Sequence, residues 1–383
     1  MEEEMNTFIY AHGDCDGVMS AWIAKAVYKI PPEHVFFPTP AMYEVTDSVL
    51  GEILYEASIE KKDRGIRLVC VDVGCGVRSM ECLSKYRHRF DEIVVIDHHP
   101  LKDKSVEIAN RSGIKLIHDD GRCATLITYL TYSSKMDKNL RNFCEKLAVI
   151  ASYADVQQDK PRTSSWLLEA RDRHPELFMD RVFWSYEAKE EYLINYAAII
   201  GSYFNTPHRM YYEKGSKAAL LALDELYRVG DPSFIAVDLP SDMEVDYPYI
   251  AMLQRWRKEW VTKRKEAFRE ALHLRGDNFQ ILFIENPWNI GGYVAQTKKE
   301  KSPDMPCFVV NTGVPGDYAV ISARGDGSVD LGRVFEEMDS ITNGLITGGG
   351  HREAASGTVP KGVHMSTLMR VISEAIRRVS VQG

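Results

Sequence analysis

The first third of the chain alternates short apolar runs with helical patterns, and no other feature constrains the fold as strongly. The runs stand at residues 7–11, 35–37, 68–71, 93–96 and 114–117. Such runs, separated by helical segments, are typical of βαβ units, in which crossover helices join buried parallel strands. The alternation therefore predicts an α/β fold with a parallel sheet in the N-terminal part.

The spacing of apolar residues also predicts several helices. Three of them fall at 20–28, 123–132 and 140–153, and a long one at 250–274. The stretch 159–246 is charged and aromatic, and we interpret it as a helical insertion or cap. The long helix carries basic residues on its other faces, namely Arg255, Arg257, Lys258, Lys263, Arg264, Lys265 and Arg269. These favour either a solvated face on a connecting helix or the wall of a nucleic-acid groove.

Beyond residue 275 the pattern changes back to strands, which indicates a second domain. Strands are predicted at 279–284, 307–311 and 318–322, then a helix at 331–338, then a glycine-rich turn at Gly348 that runs into a helix. The predicted organisation is an N-terminal parallel-sheet domain at 1–158, the insertion at 159–249, the connecting helix at 250–275 and a smaller α/β domain at 276–383.

Composition and charge limit the classes of function. The 383 residues are 45% hydrophobic and 27% charged, which excludes a mostly disordered chain. The net charge of −8 excludes a basic nucleic-acid coat but leaves a local basic groove open. No run approaches the ~18 apolar residues of a membrane span, and the N-terminus is acidic where a secretion signal is basic. With an odd count of seven cysteines, we expect a cytoplasmic protein with reduced thiols and no membrane partner. The oligomeric state stays open.

Acidic residues and histidines stand at the carboxyl ends of three predicted strands and one predicted helix. They are His12, Asp14 and Asp16 after the first run, Asp72 after the third, Asp97, His98 and His99 at the end of the fourth, and Asp155 after the helix at 140–153. Ligands of open parallel sheets bind at the carboxyl ends of the strands. These side chains are therefore expected to meet in one crevice.

Each cluster alone has an ordinary structural explanation, because an aspartate after a strand commonly caps a helix or forms a turn. Together, four carboxylates at one sheet edge would repel each other unless cations neutralised them. Carboxylate-rich sites with some imidazole favour Mn²⁺ or Mg²⁺. Two divalent ions would balance four carboxylates, and a pair of ions suits in-line attack on phosphorus. The clusters therefore predict a two-metal site for a phosphate ester.

The second domain contains groups that suit an anion. Residues 347–355 hold three consecutive glycines followed by His351 and Arg352, and Arg324 lies in a separate segment. Backbone N–H groups in a glycine turn bind anions, and these side chains add further donors. The segment is not a Walker loop, since no Gly-Lys-Ser/Thr follows at that spacing. We expect both domains to hold the phosphate ester.

These residues closely resemble the motifs of the DHH phosphoesterase superfamily with its DHH-associated C-terminal domain. The matching motifs are His12-x-Asp14-x-Asp16-Gly17, Asp72, Asp97-His98-His99, residues 147–155, Ser322-x-Arg324 and Gly348-Gly349-Gly350-His351-Arg352-x-Ala354-Ala355. They stand in the family's order within residues 5–160 and 276–360. The His-x-Asp-x-Asp spacing is more similar to the RecJ-like branch than to the inorganic pyrophosphatase branch.

The resemblance implies a dinuclear centre with Mn²⁺ as the first choice of metal and Mg²⁺ as the alternative. By position, one ion would be held by His12, Asp14 and Asp72, and the other by Asp16, Asp72, His98 and Asp155. His99 would face the scissile phosphate, and Asp97 would orient a ligand imidazole. A phosphate or terminal nucleotide would be held by Arg324, Gly349, Gly350, His351 and Arg352.

Three functions are compatible with these expectations. The first is a phosphodiesterase that hydrolyses short single-stranded RNA or DNA to mononucleotides, since long strands need many phosphate contacts that a net negative chain does not favour. The second is a processive RecJ-like exonuclease that tracks the strand with the basic helix; cyclic dinucleotides or nucleoside bisphosphates are further substrates for the same site. The third is an inactive scaffold in a replication or repair assembly, which the complete set of ligand positions disfavours.

Overall fold

The structure is a computed structural model that describes residues 5–38, 44–59, 65–185 and 190–382. The chain divides into two compact units, Met1–Arg257 and Lys258–Gly383, and each has its own hydrophobic core. Both units combine helices with a β-sheet. The predicted α/β class is therefore confirmed.

A five-stranded parallel sheet forms the centre of the first unit. Its strands are β1 (Asn6–Ala11), β2 (Val35–Phe36), β3 (Ile66–Val71), β4 (Glu92–Asp97) and β5 (Lys115–His118), in the order β2-β1-β3-β4-β5. All four neighbouring pairs are parallel. The five apolar runs are thus strands, with small shifts at their ends.

Helices cover both faces of this sheet because its strands bury side chains on both sides. On β1, Ile9 and Ala11 belong to one core and Phe8 and Tyr10 to the other. The first core contains residues of α1 (Cys15–Tyr28), α5 (Ala124–Tyr132) and α6 (Lys138–Ala154); the second contains residues of α2 (Asp47–Ile59), α3 (Val77–Tyr86) and α4 (Asp103–Ser112). Near-continuous apolar strands are what a sheet covered on both sides requires.

The stretch read as a helical insertion is only partly helical. It contains α7 (Pro161–Arg173), an antiparallel hairpin of β6 (Asp180–Ser185) and β7 (Glu190–Asn195), and α8 (Tyr196–Val229). The hairpin corrects the all-helical interpretation, and the β-branched and aromatic residues in its strands favour that conformation. Helix α8 buries Ile200, Phe204 and Leu223 in the first core, so this part of the insertion is integral to the first unit.

The second unit is built on a six-stranded mixed sheet. The chain enters it along α9 (Pro248–Glu270), whose last residues belong to this unit. The sheet order is β12-β13-β11-β10-β9-β8, with β8 (Leu272–Arg275), β9 (Gln280–Ile284), β10 (Cys307–Asn311), β11 (Tyr318–Arg324), β12 (Thr347–Gly350) and β13 (Ala354–Pro360). Its helices are α10 (Gly291–Lys301), α11 (Leu331–Ile341) and α12 (Met365–Gln382).

Two local predictions in this region are wrong. The helix expected over 250–274 ends at Glu270, and residues 272–275 pair with β9 as an antiparallel strand. The glycine segment does not lead into a helix, because residues 354–360 form β13, which is hydrogen-bonded to both β11 and β12. In both places, pairing with a distant strand determines the conformation, and local periodicity does not contain that information.

The seven cysteines are free thiols. Six of them are buried, and Cys82 is half-buried. Among the described residues, none of the helices combines the length and the hydrophobicity that crossing a lipid bilayer requires.

Candidate metal centre

Three loops that leave the parallel sheet side by side supply most of the predicted ligands. His12 follows β1, Asp72 follows β3, and Asp97 is the last residue of β4. The His12 N–H donates to Val71 O (3.2 Å) and the Asp72 N–H donates to Ile96 O (2.9 Å), which extends the parallel pairing into the loops. The sheet therefore fixes the backbone of these loops directly.

The first group of candidate ligands contains His12, Asp14 and Asp72. His12 Nδ1 lies 3.1 Å from Asp14 Oδ2 and 3.5 Å from Asp72 Oδ2. One ligand atom from each residue falls within 4.8 Å of the others. This set agrees with the one that the family resemblance implies for one ion.

The second group is arranged around His98. Its Nε2 lies 3.2 Å from Asp72 Oδ1, 3.5 Å from Asp155 Oδ2 and 3.7 Å from Asp16 Oδ2. Asp72 thus directs one carboxylate oxygen toward His12 and the other toward His98. Asp72 and His98 also form a third close group with His99.

Two of the aspartates also cap helices. Asp14 is the N-cap of α1, where its Oδ1 accepts from Gly17 N (3.1 Å) while Oδ2 faces His12. Asp16 accepts from the first N–H groups of α5, Ala124 N (2.7 Å) and Thr125 N (2.8 Å), and from the Thr125 hydroxyl (2.6 Å). Capping and metal ligation are therefore compatible here, because each carboxylate has lone pairs for both.

Asp97 holds the imidazole of His99. Its Oδ1 accepts from His99 Nδ1 (2.8 Å) and from the backbone N–H groups of His98 and His99, and its Oδ2 accepts from Cys75 N (3.1 Å). The contact with His98 is thus through the backbone, and the ring that Asp97 orients is the one expected to face the phosphate. The His99 side chain is 44% exposed, whereas Asp97 is buried.

The backbone is strained at two of the loops. Asp72 has a φ of 58° and Val156, directly after Asp155, a φ of 56°. Aspartate tolerates this left-handed conformation, but a β-branched valine rarely adopts it. Val156 is also 72% exposed. Strain of this kind is concentrated at functional sites, where the surrounding structure maintains it.

The donor set fits divalent cations. Asp16, Asp72 and His98 are at most 3% exposed, and within the described residues neither Asp72 Oδ1 nor Asp155 Oδ2 forms a hydrogen bond of normal geometry. Burial, together with the neighbouring carboxylate of Asp72, raises the pKa of Asp16 to about 6; burial also raises the pKa of Asp155, to about 8. Carboxylates buried this closely need protons or cations, and oxygen and imidazole ligands suit Mn²⁺ or Mg²⁺.

Metal uptake is therefore expected to release protons in a pH-dependent manner. Asp155 and Asp16 must ionise to bind a cation, and the raised pKa values of about 8 and about 6 mean that Asp155 is largely protonated near pH 7. Calorimetric Mn²⁺ titration in buffers of different ionisation enthalpy should show more protons released per ion at about pH 6.5 than at about pH 9. Equal release at both pH values would contradict this prediction.

The residues predicted to bind substrate lie in the second unit, at one end of its sheet. Arg324 ends β11 opposite Ala354, and Gly350 ends β12 opposite Ala355. Gly349 lies in β12, and the exposed His351 and Arg352 follow that strand. Arg352 Nε donates to Gly327 O (2.6 Å), which fixes this side chain to its own unit.

Sequence reasoning missed two sets of residues near these groups. In the second unit, α10 begins at Gly291–Gly292 without a side-chain cap, and a Cβ atom at Gly292 would lie 3.0 Å from Arg324 Nη2. The Gly291–Gly292 pair was the sequence feature that could have indicated this position. In the first unit, Asn205, His208 and Ser216 of α8 contact the loop between His12 and Cys15. No local sequence pattern indicates those contacts, because they join residues about 200 positions apart.

The comparisons with known proteins agree with this architecture. Residues 277–379 match the family model of the DHHA1 domain. No curated protein matches the chain by sequence. Among solved structures, a DHH-domain member of the S1p family of ribosomal proteins superposes with a TM-score of 0.63 at 16% identity, covering 98% of this chain and 87% of that one.

Two further structures share the fold. RecJ from Thermus thermophilus, solved with Mn²⁺, gives a TM-score of 0.57 at 16% identity over 97% of this chain, which spans 52% of that RecJ. CDC45 from Entamoeba histolytica gives 0.53 at 9% identity over 98% of this chain and 96% of that one. The chain thus shares the fold of these DHH-domain structures, and its residues 277–379 match the DHHA1 domain model.

Proposed function

We propose that this chain, with its RecJ-like DHH fold and DHHA1 domain, is a phosphodiesterase that hydrolyses short single-stranded oligonucleotides to mononucleotides. The reaction would use two divalent cations, and Mn²⁺ is the first choice of metal. The position of Asp72 carries the proposal. Its two oxygens lie 3.5 Å from His12 Nδ1 and 3.2 Å from His98 Nε2, so that one carboxylate joins two groups of ligands. A pair of divalent ions held close together is an arrangement that stabilises both the attacking and the leaving oxygen in phosphoryl transfer.

In this proposal one ion would be held by His12, Asp14 and Asp72. The other ion would be held by Asp16, Asp72, His98 and Asp155. Bound divalent cations supply a water of lowered pKa and stabilise the negative charge that develops on the phosphoryl oxygens. Of these residues, Asp16 is also fixed by the N-terminus of α5, which holds its carboxylate in one orientation.

His99 is the proposed proton donor to the leaving oxygen. Its Nδ1 is bonded to Asp97, so Nε2 is the ring nitrogen that would face a substrate. Burial works to lower the pKa of His99, but the Asp97 carboxylate outweighs it and the pKa is raised. An imidazolium held in this way can donate a proton at neutral pH.

The second unit is proposed to bind a phosphate or a terminal nucleotide. Arg324 and Ser322 lie beside Gly291 and Gly292 at the start of α10, where backbone N–H groups and the helix dipole favour an anion. Gly349, Gly350, His351 and Arg352 at the same end of the sheet as Arg324 are proposed to contribute further donors.

Several basic side chains on α9 already interact with other residues of the chain, and this favours short substrates. Arg255 pairs with Glu244 (3.0 Å) and Lys263 pairs with Glu266 (2.9 Å), while Arg257 is engaged in a hydrogen bond and a cation–π contact. Charges neutralised within the chain contribute less to the phosphate contacts that a long strand requires. The processive RecJ-like alternative depends on these residues.

Purified protein assayed with Mn²⁺ on oligonucleotides from dimers to 20-mers tests the proposal. Substrates labelled at the 5′ or the 3′ end, in RNA and DNA form, also give the sugar preference and the direction of digestion. We expect mononucleotide products, fastest turnover of the shortest strands and no hydrolysis in excess chelator. Equal or faster cleavage of the 20-mer would contradict the preference for short substrates and support a processive exonuclease. Hydrolysis of cyclic dinucleotides or nucleoside bisphosphates alone would contradict an oligonucleotide substrate and support those compounds as substrates.

Charge reversal at Lys263 and Lys265 separates the two exonuclease alternatives. The short-substrate proposal expects dimer hydrolysis to remain at the wild-type rate and cleavage of a 20-mer to change little. A selective loss of 20-mer cleavage would instead support strand tracking by α9. Complete absence of hydrolysis on every substrate, in protein that binds Mn²⁺, would support the inactive scaffold.

A further inference from the structure

Helix α8 is broken where it meets the loop that follows β1. Tyr212 has φ 49° and ψ −127°, a backbone conformation that is not helical. In a continuous helix, residues eight positions apart are separated by about 12 Å along the axis. Here His208 Nδ1 lies 3.2 Å from Ser216 Oγ, so the chain folds back on itself. We refer to residues 205–216 as the α8 turn.

The α8 turn is held in a costly conformation. A side chain at Gly215 would place its Cβ 2.0 Å from Pro207 O, so this close approach requires glycine. A residue in a strained conformation such as that of Tyr212 costs free energy of folding and persists only where the surroundings determine it. His208, Tyr212 and Ser216 are buried. The residues that the α8 turn contacts show which part of the structure it stabilises.

Ser216 and His208 hold the main chain between two proposed ligands. The Ser216 hydroxyl donates to Gly13 O (2.8 Å), between His12 and Asp14, and Tyr212 O is a second, more distant acceptor (3.1 Å). Because that hydroxyl proton is committed to a carbonyl, His208 Nδ1 is the donor in the His208–Ser216 contact. A Cβ atom at Gly13 would lie 2.1 Å from His208 Nδ1, and the His208 ring centroid lies 5.5 Å from that of His12.

Asn205 holds the same loop at the residue that follows Asp14. Its Oδ1 accepts from Cys15 N (2.9 Å), one of the N–H groups at the start of α1 that have no acceptor within the helix. Asp14, which lies between Gly13 and Cys15, is therefore fixed on both sides by residues of α8. This is the role that outer residues have at metal sites, where they orient the ligands and are not themselves bound.

We propose that the α8 turn is a positioning element of the metal centre, in which Asn205 and Ser216 fix the main chain of residues 13–15 and so set the geometry of His12 and Asp14. The proposal rests on the proposed function. The insertion is then part of the catalytic apparatus, although it carries no ligand of its own in the proposed site.

Mn²⁺ affinity of the Ser216→Ala and Asn205→Ala variants, measured by calorimetry on the full chain, tests this proposal. We expect about tenfold to a hundredfold weaker binding of one of two ions, as for loss of an orienting partner. The matched control is Thr206→Val, which removes a buried hydroxyl of the same helix whose hydrogen bond goes to Ser202 O (2.8 Å) and not to the loop. Its Mn²⁺ affinity should equal that of the wild type, whatever its melting temperature.

The outcomes separate the two proposals. Wild-type affinity in both folded variants would overturn the positioning role and leave the proposed function intact. A wild-type protein that binds no Mn²⁺ would overturn both. If Ser216→Ala does not fold, the half-buried Asn205 decides the question, because its replacement removes the hydrogen bond with Cys15 N and leaves the Ser216 contact in place. Weakened binding in the variants, together with a wild type that hydrolyses no oligonucleotide, would support positioning and reject the proposed substrate.

Discussion

An Asp72→Asn variant is expected to lose hydrolysis by a factor on the order of 10⁴, the equivalent of several kcal/mol of transition-state stabilisation by metal. Asp72 is the residue that faces both ligand groups, through Oδ1 to His98 and Oδ2 to His12. Asparagine keeps the shape of the side chain but lacks the charge that a bridging ligand supplies. It also tolerates the left-handed conformation at this position, with φ 58°, so the variant should fold.

The measurement pairs hydrolysis rates with the metal content of the purified variant. Asp224→Asn is the matched control, because Asp224 is a partly buried carboxylate that bonds Lys25 and Trp22 away from the proposed ligands. The control should retain hydrolysis within about twofold and bind two ions. An Asp72→Asn variant that keeps a tenth or more of the wild-type rate would contradict the bridging role.

An Asp97→Asn variant is expected to lower kcat by about 10²- to 10³-fold, the lower part of the range that a general acid contributes, because His99 remains but loses its partner. Asp97 is bonded to His99 Nδ1 and raises the pKa of that imidazole. Without the carboxylate the pKa of His99 falls, and an acid that must be protonated then loses its proton at lower pH. The alkaline limb of the pH–rate profile should therefore move to lower pH. Metal content should remain that of the wild type.

The matched control for this variant is Asp91→Asn, at the opposite end of β4, where the carboxylate accepts from Ile66 N (2.7 Å). We expect its kcat and its pH–rate profile to match the wild type. If Asp97→Asn lost metal and kept its pH profile, Asp97 would act on the ions and not on His99. If kcat were unchanged, the proton-donor role of His99 would be wrong.

The parallel sheet and the grouping of candidate ligands were predictable because the relevant information is local. Three of the apolar runs are followed directly by a polar residue, namely His12, Asp72 and Asp97, and parallel strands present their carboxyl ends at one edge. His12, Asp72 and His98 therefore come together once the strand order is formed. The order itself, β2-β1-β3-β4-β5, was not predicted, since it depends on which crossovers pack best.

The contacts that refine the site were not predictable in the same way. Asn205 and Ser216 reach residues 13–15 across about 190 to 200 positions, through a helix break that Pro207 and Gly215 alone do not reveal. The dual role of Asp16, as candidate ligand and as acceptor at the N-terminus of α5, likewise depends on helix placement. Residues 354–360 became a strand because β11 and β12 both pair with them. Each case depends on tertiary contacts that override local preference.

Stoichiometric titration of metal-free protein with Mn²⁺, followed by hydrolysis of a labelled dinucleotide, tests the central claim most directly. A two-metal phosphodiesterase predicts little hydrolysis up to one equivalent of Mn²⁺, a steep rise with the second and a plateau at two equivalents per chain. Full hydrolysis with a single equivalent, or in the presence of excess chelator, would contradict it.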